Sequence, residues 1–115
     1  MHEYSIVASL IERVEREAAA HEGARVHKLH VSIGELAGVE LDLLSTAFET
    51  FRDRTVCKDA ELDIRTVEPR WICRSCDRQV IRGSILRCDS CGRPATMTQG
   101  DEIILERIEM EAPHV

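Results

Sequence analysis

Ile72-Cys73-Arg74-Ser75-Cys76-Asp77, then Arg87-Cys88-Asp89-Ser90-Cys91-Gly92, then Gly100-Asp101-Glu102-Ile103-Ile104-Leu105 is the run that decides the fold. Each Cys-x-x-Cys turn can present two thiolates to one ion. The eleven residues from Asp77 through Arg87 suffice for a short hairpin that brings the two turns together. Four soft sulfurs in a tetrahedral array select zinc, with a rubredoxin-like iron site as the alternative that spacing leaves open. Cys73, Cys76, Cys88 and Cys91 would fill every position around zinc, so the ion is expected to be structural, with no place for water or substrate. Asp77 and Gly92, directly after each pair, suit the tight turns such sites need. Beyond Gly100, Ile104, Ile108 and Met110 interleave with Glu106 and Glu109, while Ile103 and Leu105 supply the opposite parity. That pattern predicts a last strand covered on both faces for part of its length. The strand needs a partner from before the cysteines, so the cysteine module is read as an insertion.

Working back toward the N-terminus, Val7, Leu10, Ile11, Val14 and Ala18 recur at helical spacing, with Glu12, Arg13, Glu15, Arg16 and Glu17 off that stripe. An amphipathic helix is predicted from near Glu3 to the Glu22-Gly23 stop. From Arg25 to Ile33, His27, Leu29, Val31 and Ile33 share one parity and Lys28, His30 and Ser32 the other, which predicts a strand with one buried face. Leu41, Leu44, Ala47, Phe48 and Phe51 resume helical spacing, and Leu62, Ile64 and Thr66 alternate with Asp63 and Arg65 in a second strand that stops before Pro69. The expected architecture is α+β: two helices on one face of a three-stranded sheet, with a zinc-ribbon-like four-cysteine module inserted before the last strand. Residues 1–69 with 100–115 are expected to form one unit and 70–99 the other. No internal repeat and no low-complexity segment stand out.

The length of 115 residues suits one main core, and the 43% hydrophobic and 31% charged residues argue against wholesale disorder. Aromatics make up 3%, too few for a platform that stacks unpaired bases. The net charge of −6 disfavours nucleic acid or an anionic membrane as partner. It hides an asymmetry: from Trp71 to Thr98, Arg74, Arg78, Arg82, Arg87 and Arg93 face only Asp77 and Asp89, giving +3 and leaving −9 on the remainder. A zinc-ribbon module that binds nucleic acid or protein is therefore the rival reading, although four thiolates around zinc would bring +3 down to about +1. No apolar run approaches the ~20 residues that span a bilayer, so a cytoplasmic protein is expected. The paired cysteines point to metal rather than disulfides.

Met1-His2-Glu3 sets an imidazole, a main-chain amide and a carboxylate within a few bonds of the terminal amine. Nitrogen-rich tetragonal sets suit nickel or copper, though the same residues also fit an ordinary solvated terminus. His27 and His30 are expected on opposite faces of their strand, unable to share an ion. Cys57, outside the pairs, reads as a small buried hydrophobe. No nucleophile–histidine–acid signature and no phosphate loop is present, so an enzyme is not expected, and a closed four-cysteine shell counts against a zinc hydrolase.

A chain that begins Met1-His2-Glu3-Tyr4-Ser5, continues Ile33-Gly34-Glu35-Leu36 and Gly38-Val39-Glu40, carries Cys-x-x-Cys twice and then Gln99-Gly100-Asp101-Glu102 resembles the HypA/HybF family along its whole length. That family inserts nickel during maturation of [NiFe]-hydrogenases. The resemblance implies Ni2+ as a transferable cargo held at the N-terminus by His2 and its main-chain nitrogen. Glu3 and an acidic residue in the turn before the second helix would assist. Here that residue is Glu40, where some relatives carry the shorter aspartate. It also implies a GTPase partner of the HypB type, the hydrogenase large-subunit precursor as client, and urease maturation proteins for some relatives. Monomer and homodimer are both left open.

Overall fold

The computed structural model describes residues 3–81 and 85–111. Helix α1 (Glu3–Ala19) buries the five stripe residues Val7, Leu10, Ile11, Val14 and Ala18, and Gly23 reverses the chain in a left-handed conformation. Strand β1 (Arg25–Gly34) follows, then helix α2 (Leu41–Phe51), which runs into one 3-10 turn before strand β2 (Glu61–Val67). Three short strands come next: β3 (Arg70–Cys73), β4 (Arg78–Val80) and β5 (Thr96–Gln99). Strand β6 (Ile103–Glu111) is the last.

These strands form two three-stranded sheets, β2-β1-β6 and β4-β3-β5. Because β1 and β2 run parallel, the chain must cross over between them, and α2 is that crossover. Strand β6 returns antiparallel on the other side of β1, so the first strand becomes the centre of its sheet. Leu44, Ala47 and Phe48 of α2 join the α1 stripe over Val26, Leu29, Val31 and Ile33 of β1. Leu62 and Ile64 of β2 and Ile103, Leu105, Ile108 and Met110 of β6 pack against them. Both helices therefore cover one face of the sheet, as expected, and at the open ends of the helices Tyr4 and Phe51 meet edge to face at 5.2 Å.

Two bulges overturn two expectations about the strands. The register of β1 against β6 slips between Val26 and Lys28, leaving His27 as an extra residue, and again where His30 faces Arg107 but Val31 faces Leu105. A bulge reverses the inside-outside alternation beyond it. His27 therefore turns outward with His30, and the two bond Glu111 and Glu109, which share a face of β6. The second slip, at Glu106, explains the mixed apolar parity of β6. It is not a strand covered on both faces: Ile104 is 42% exposed.

The outer face so formed is ionic. His30, on the central strand, reaches Asp63 of β2 at 3.1 Å and Glu109 of β6, tying both edges to the middle. The bond from His30, with Arg107 and Lys28 nearby, holds the Glu109 carboxyl below its ordinary range, and Ser32 with Arg65 does the same for Glu106. A carboxyl lowered on folding contributes stability above its unfolded value and loses it as pH falls through the folded one. Glu109→Gln, which mimics the protonated acid, should therefore melt below the wild type at pH 6. The gap should close as both are taken below about pH 4. A gap that persists at acid pH would mean the charge is irrelevant.

The two sheets join where the backbone is crowded. Gly34 N donates to Glu102 O at 2.8 Å, Glu35 N to Val67 O at 2.9 Å and Leu36 N to Gly100 O at 2.7 Å. Gly100 also lies against Pro69, in the segment leading into β3. The segments Ile33-Gly34-Glu35-Leu36 and Gln99-Gly100-Asp101-Glu102, far apart in sequence, thus meet at one knot. Among the described residues no helix is long and apolar enough to cross a membrane.

Candidate metal centre

Strand β3 ends on Cys73, and the turn to β4 carries Cys76. Cys88 and Cys91 lie on the second turn, closed by Cys88 N donating to Arg93 O and Gly92 N donating to Cys88 O, both at 2.9 Å. The residue after each pair takes the left-handed conformation, Asp77 at φ 53° and Gly92 at φ 71°. A tight reversal there turns the preceding thiols toward one point. The four sulfurs all lie within 4.8 Å of one another, with Cys73 Sγ 3.5 Å from Cys91 Sγ.

Such a set suits a thiophilic ion in tetrahedral coordination. The backbone N–H groups of Cys91 and Ser90 donate to Cys88, which lowers its thiol to about 6. Cys76 instead donates to Cys88 and Cys91 and is pushed up to about 12. A bound cation favours the thiolate form of its cysteine ligands.

The two turns are copies of each other. Cys73-Arg74-Ser75-Cys76-Asp77-Arg78 and Cys88-Asp89-Ser90-Cys91-Gly92-Arg93 share the pattern Cys-x-Ser-Cys-x-Arg fifteen positions apart. So short a repeat escapes a search for domain-scale duplication, yet it is the sequence signal that marks the serines and arginines as part of the site. Arg93 Nη1 donates to Ser75 Oγ at 2.6 Å, and Arg78 Nη1 donates to Ser90 Oγ. Arg87 Nη1 donates to Gly92 O at 3.0 Å. Three of the five arginines behind the nucleic-acid reading are therefore engaged in holding the turns.

Glu3 and Glu40 are not members of this cluster. His2 lies outside the described residues. Glu3 opens α1 half-buried, and its Oε2 is sealed from solvent with no hydrogen-bond partner. A buried carboxylate oxygen without a donor is costly, and a cation beside it would offset that cost. Glu40 is exposed at the N-cap of α2, where its side chain makes no capping bond. Among the described residues, neither glutamate belongs to a group of three or more close ligand atoms. Cys57 lies in the main core, where burial pushes its thiol up to about 11, as fits a packing residue.

Residues 1–110 match the family model described as "Hydrogenase/urease nickel incorporation, metallochaperone, hypA". The hydrogenase maturation factor HypA of Wolinella succinogenes is 40% identical over 97% of both chains, and that of Shewanella baltica strain OS185 is 36% identical over 96% of this chain and 97% of its own. The solution structure of the Ni metallochaperone HypA from Helicobacter pylori superposes with a TM-score of 0.75 at 36% identity, covering 98% of this chain and all of that one.

Proposed function

The chain belongs to the HypA family of hydrogenase and urease nickel-incorporation metallochaperones. From that premise we propose that it binds Ni2+ at its N-terminus and hands it to the [NiFe]-hydrogenase large-subunit precursor. In this reading residues 1–69 with 100–115 handle nickel, and 70–99 hold a structural Zn2+ on Cys73, Cys76, Cys88 and Cys91. Zinc supplies folding free energy to its module and takes no part in transfer.

The observation that carries the nickel site is the buried, unpartnered Oε2 of Glu3. It lies one residue from His2, whose imidazole and amide supply the nitrogen donors that nickel favours. An ion bound there would neutralise the stranded oxygen, and Glu40, exposed at the start of α2, offers a second carboxylate. A site at a chain end can exchange ligands one at a time, which suits cargo rather than a resident metal. The partners this reading calls for are a GTPase of the HypB type and the precursor, with urease maturation proteins as a second route, all in the cytoplasm.

Glu3→Gln keeps the shape and removes the charge, so nickel affinity should fall at least tenfold with zinc content unchanged, as measured by calorimetry with metal analysis. Transfer is tested by mixing nickel-loaded protein with apo precursor in the presence of a competing chelator. Nickel should reach the precursor from the loaded protein and fail to do so from free nickel under the same chelator. Equal loading from both sources would refute the chaperone role.

A further inference from the structure

The Cys-x-Ser-Cys-x-Arg copies do more than resemble each other, because each arginine leaves its own turn and bonds the serine of the other. Arg93, two residues after Cys91, reaches back 18 positions to Ser75, which lies between Cys73 and Cys76. Arg78, two residues after Cys76, reaches forward 12 positions to Ser90, between Cys88 and Cys91. The left-handed residues Asp77 and Gly92 make this possible by reversing the chain just before each arginine.

Apart from these bonds, the turns are held together by little that is apolar: among the described residues of the module the buried side chains are Trp71, Cys73, Val80 and Cys88. Strand β3 carries the first turn, while the second hangs on the Arg87–Pro94 bridge and the Cys88–Arg93 bond within itself. Among the described residues, the crossed pair thus spans the two halves of the ligand set beside the contacts of the sulfurs themselves. Two guanidinium groups also stand beside a centre that carries a net −2 once four thiolates surround a divalent ion.

We propose that Arg78 and Arg93 are positioning residues for the four-cysteine centre, forming with Ser90 and Ser75 a reciprocal latch that keeps the two cysteine turns closed on the ion and slows its release. This deepens the zinc reading above and rests on it. Partners around a ligand set commonly change metal retention by one to two orders of magnitude. The latch makes a pattern that neither packing nor charge alone produces. Losing either partner of one link opens that link, and losing both partners of the same link adds nothing further. Losing one partner of each link compounds.

The test is zinc release from the full-length holoprotein into excess chelator, followed as a first-order rate, after metal analysis of each preparation. Ser75→Ala, Ser90→Ala, Arg78→Ala and Arg93→Ala should each release zinc about tenfold faster than wild type. The double variant Ser75→Ala with Arg93→Ala should match the faster of its singles, while Ser75→Ala with Ser90→Ala should approach the product, about a hundredfold. Arg74→Ala, which removes a charge next to Cys73 without opening a link, should not change the rate. Serine variants that release at the wild-type rate, or an Arg74→Ala that releases as fast as Arg93→Ala, would overturn the latch and leave a simple charge effect. A wild type that carries no zinc would overturn the metal reading itself, an outcome that metal analysis separates from the others.

Discussion

Chelating the metal should shift the emission of Trp71 to the red while the far-ultraviolet helical signal stays. Trp71 is the only tryptophan of the chain and sits, 9% exposed, on β3, opposite Val80 of β4. It therefore reports on the second sheet alone. That sheet has too few buried apolar side chains to stand unaided, and a structural zinc contributes on the order of 10 kcal/mol of apparent folding free energy in modules of this size. The helices lie over the other sheet, with Phe48, Leu29, Ile33 and Leu44 fully buried between them, and among the described residues that core includes none from 70–99, so it should not need the metal. Cys76→Ser should give the same state without chelator. Helices that unfold together with the metal would show one cooperative unit rather than two, and an unchanged Trp71 would show that the second sheet holds without its ion.

The junction between the sheets yields the other large effect. A methyl group on Gly100 would stand 2.4 Å from Pro69 Cα and 2.8 Å from Pro69 Cβ, and the residue sits at φ +113°, which side chains rarely tolerate. Neither neighbour is the free end of a flexible side chain, so the backbone itself must shift. Gly34 is enclosed from the opposite direction, since a methyl group there would stand 2.1 Å from the Gly100 carbonyl carbon. Gly100→Ala should cost about 3 kcal/mol or more, strain and overpacking together. For a chain of this length that lowers the melting temperature by on the order of 10 °C. Gly38→Ala is the comparison: the position is also left-handed, yet no atom would lie within 4 Å of the added methyl, so its loss should be about 1–2 kcal/mol. Equal melting temperatures for the two variants would contradict the crowded junction.

Both effects arise at places the sequence marks unequally. The α1 stripe and the paired cysteines were legible because each is a local regularity, a helical period in one case and a ligand spacing in the other. All five stripe residues are buried, and the four sulfurs converge. The faces of β1 and β6 were not legible, because a bulge depends on which residue of a distant strand it opposes. His27 and Glu106 look like ordinary members of an alternating run until β1 and β6 are aligned. The ionic face around His30 is hidden for the same reason, its partners lying 33 and 79 positions away. At the metal centre the cysteines could be named from spacing alone, whereas Ser75, Ser90, Arg78 and Arg93 needed the crossing of two turns to acquire a role. Glu3 stood out in the sequence as the carboxylate beside His2, a weak signal that the family resemblance strengthened. Its sealed, unpartnered oxygen is a fact of tertiary packing, and the proposed nickel site rests on it.

The nickel hand at the N-terminus is the central claim, and it is tested most directly by titrating nickel into tag-free protein by calorimetry with metal analysis. Wild type is compared with His2→Ala and with a form bearing extra residues before Met1. The account predicts stoichiometric nickel binding by zinc-loaded wild type, and loss of nickel but not zinc in both altered proteins, because one removes the imidazole and the other alters the terminal donors. Nickel binding by His2→Ala as tight as that of wild type would contradict it.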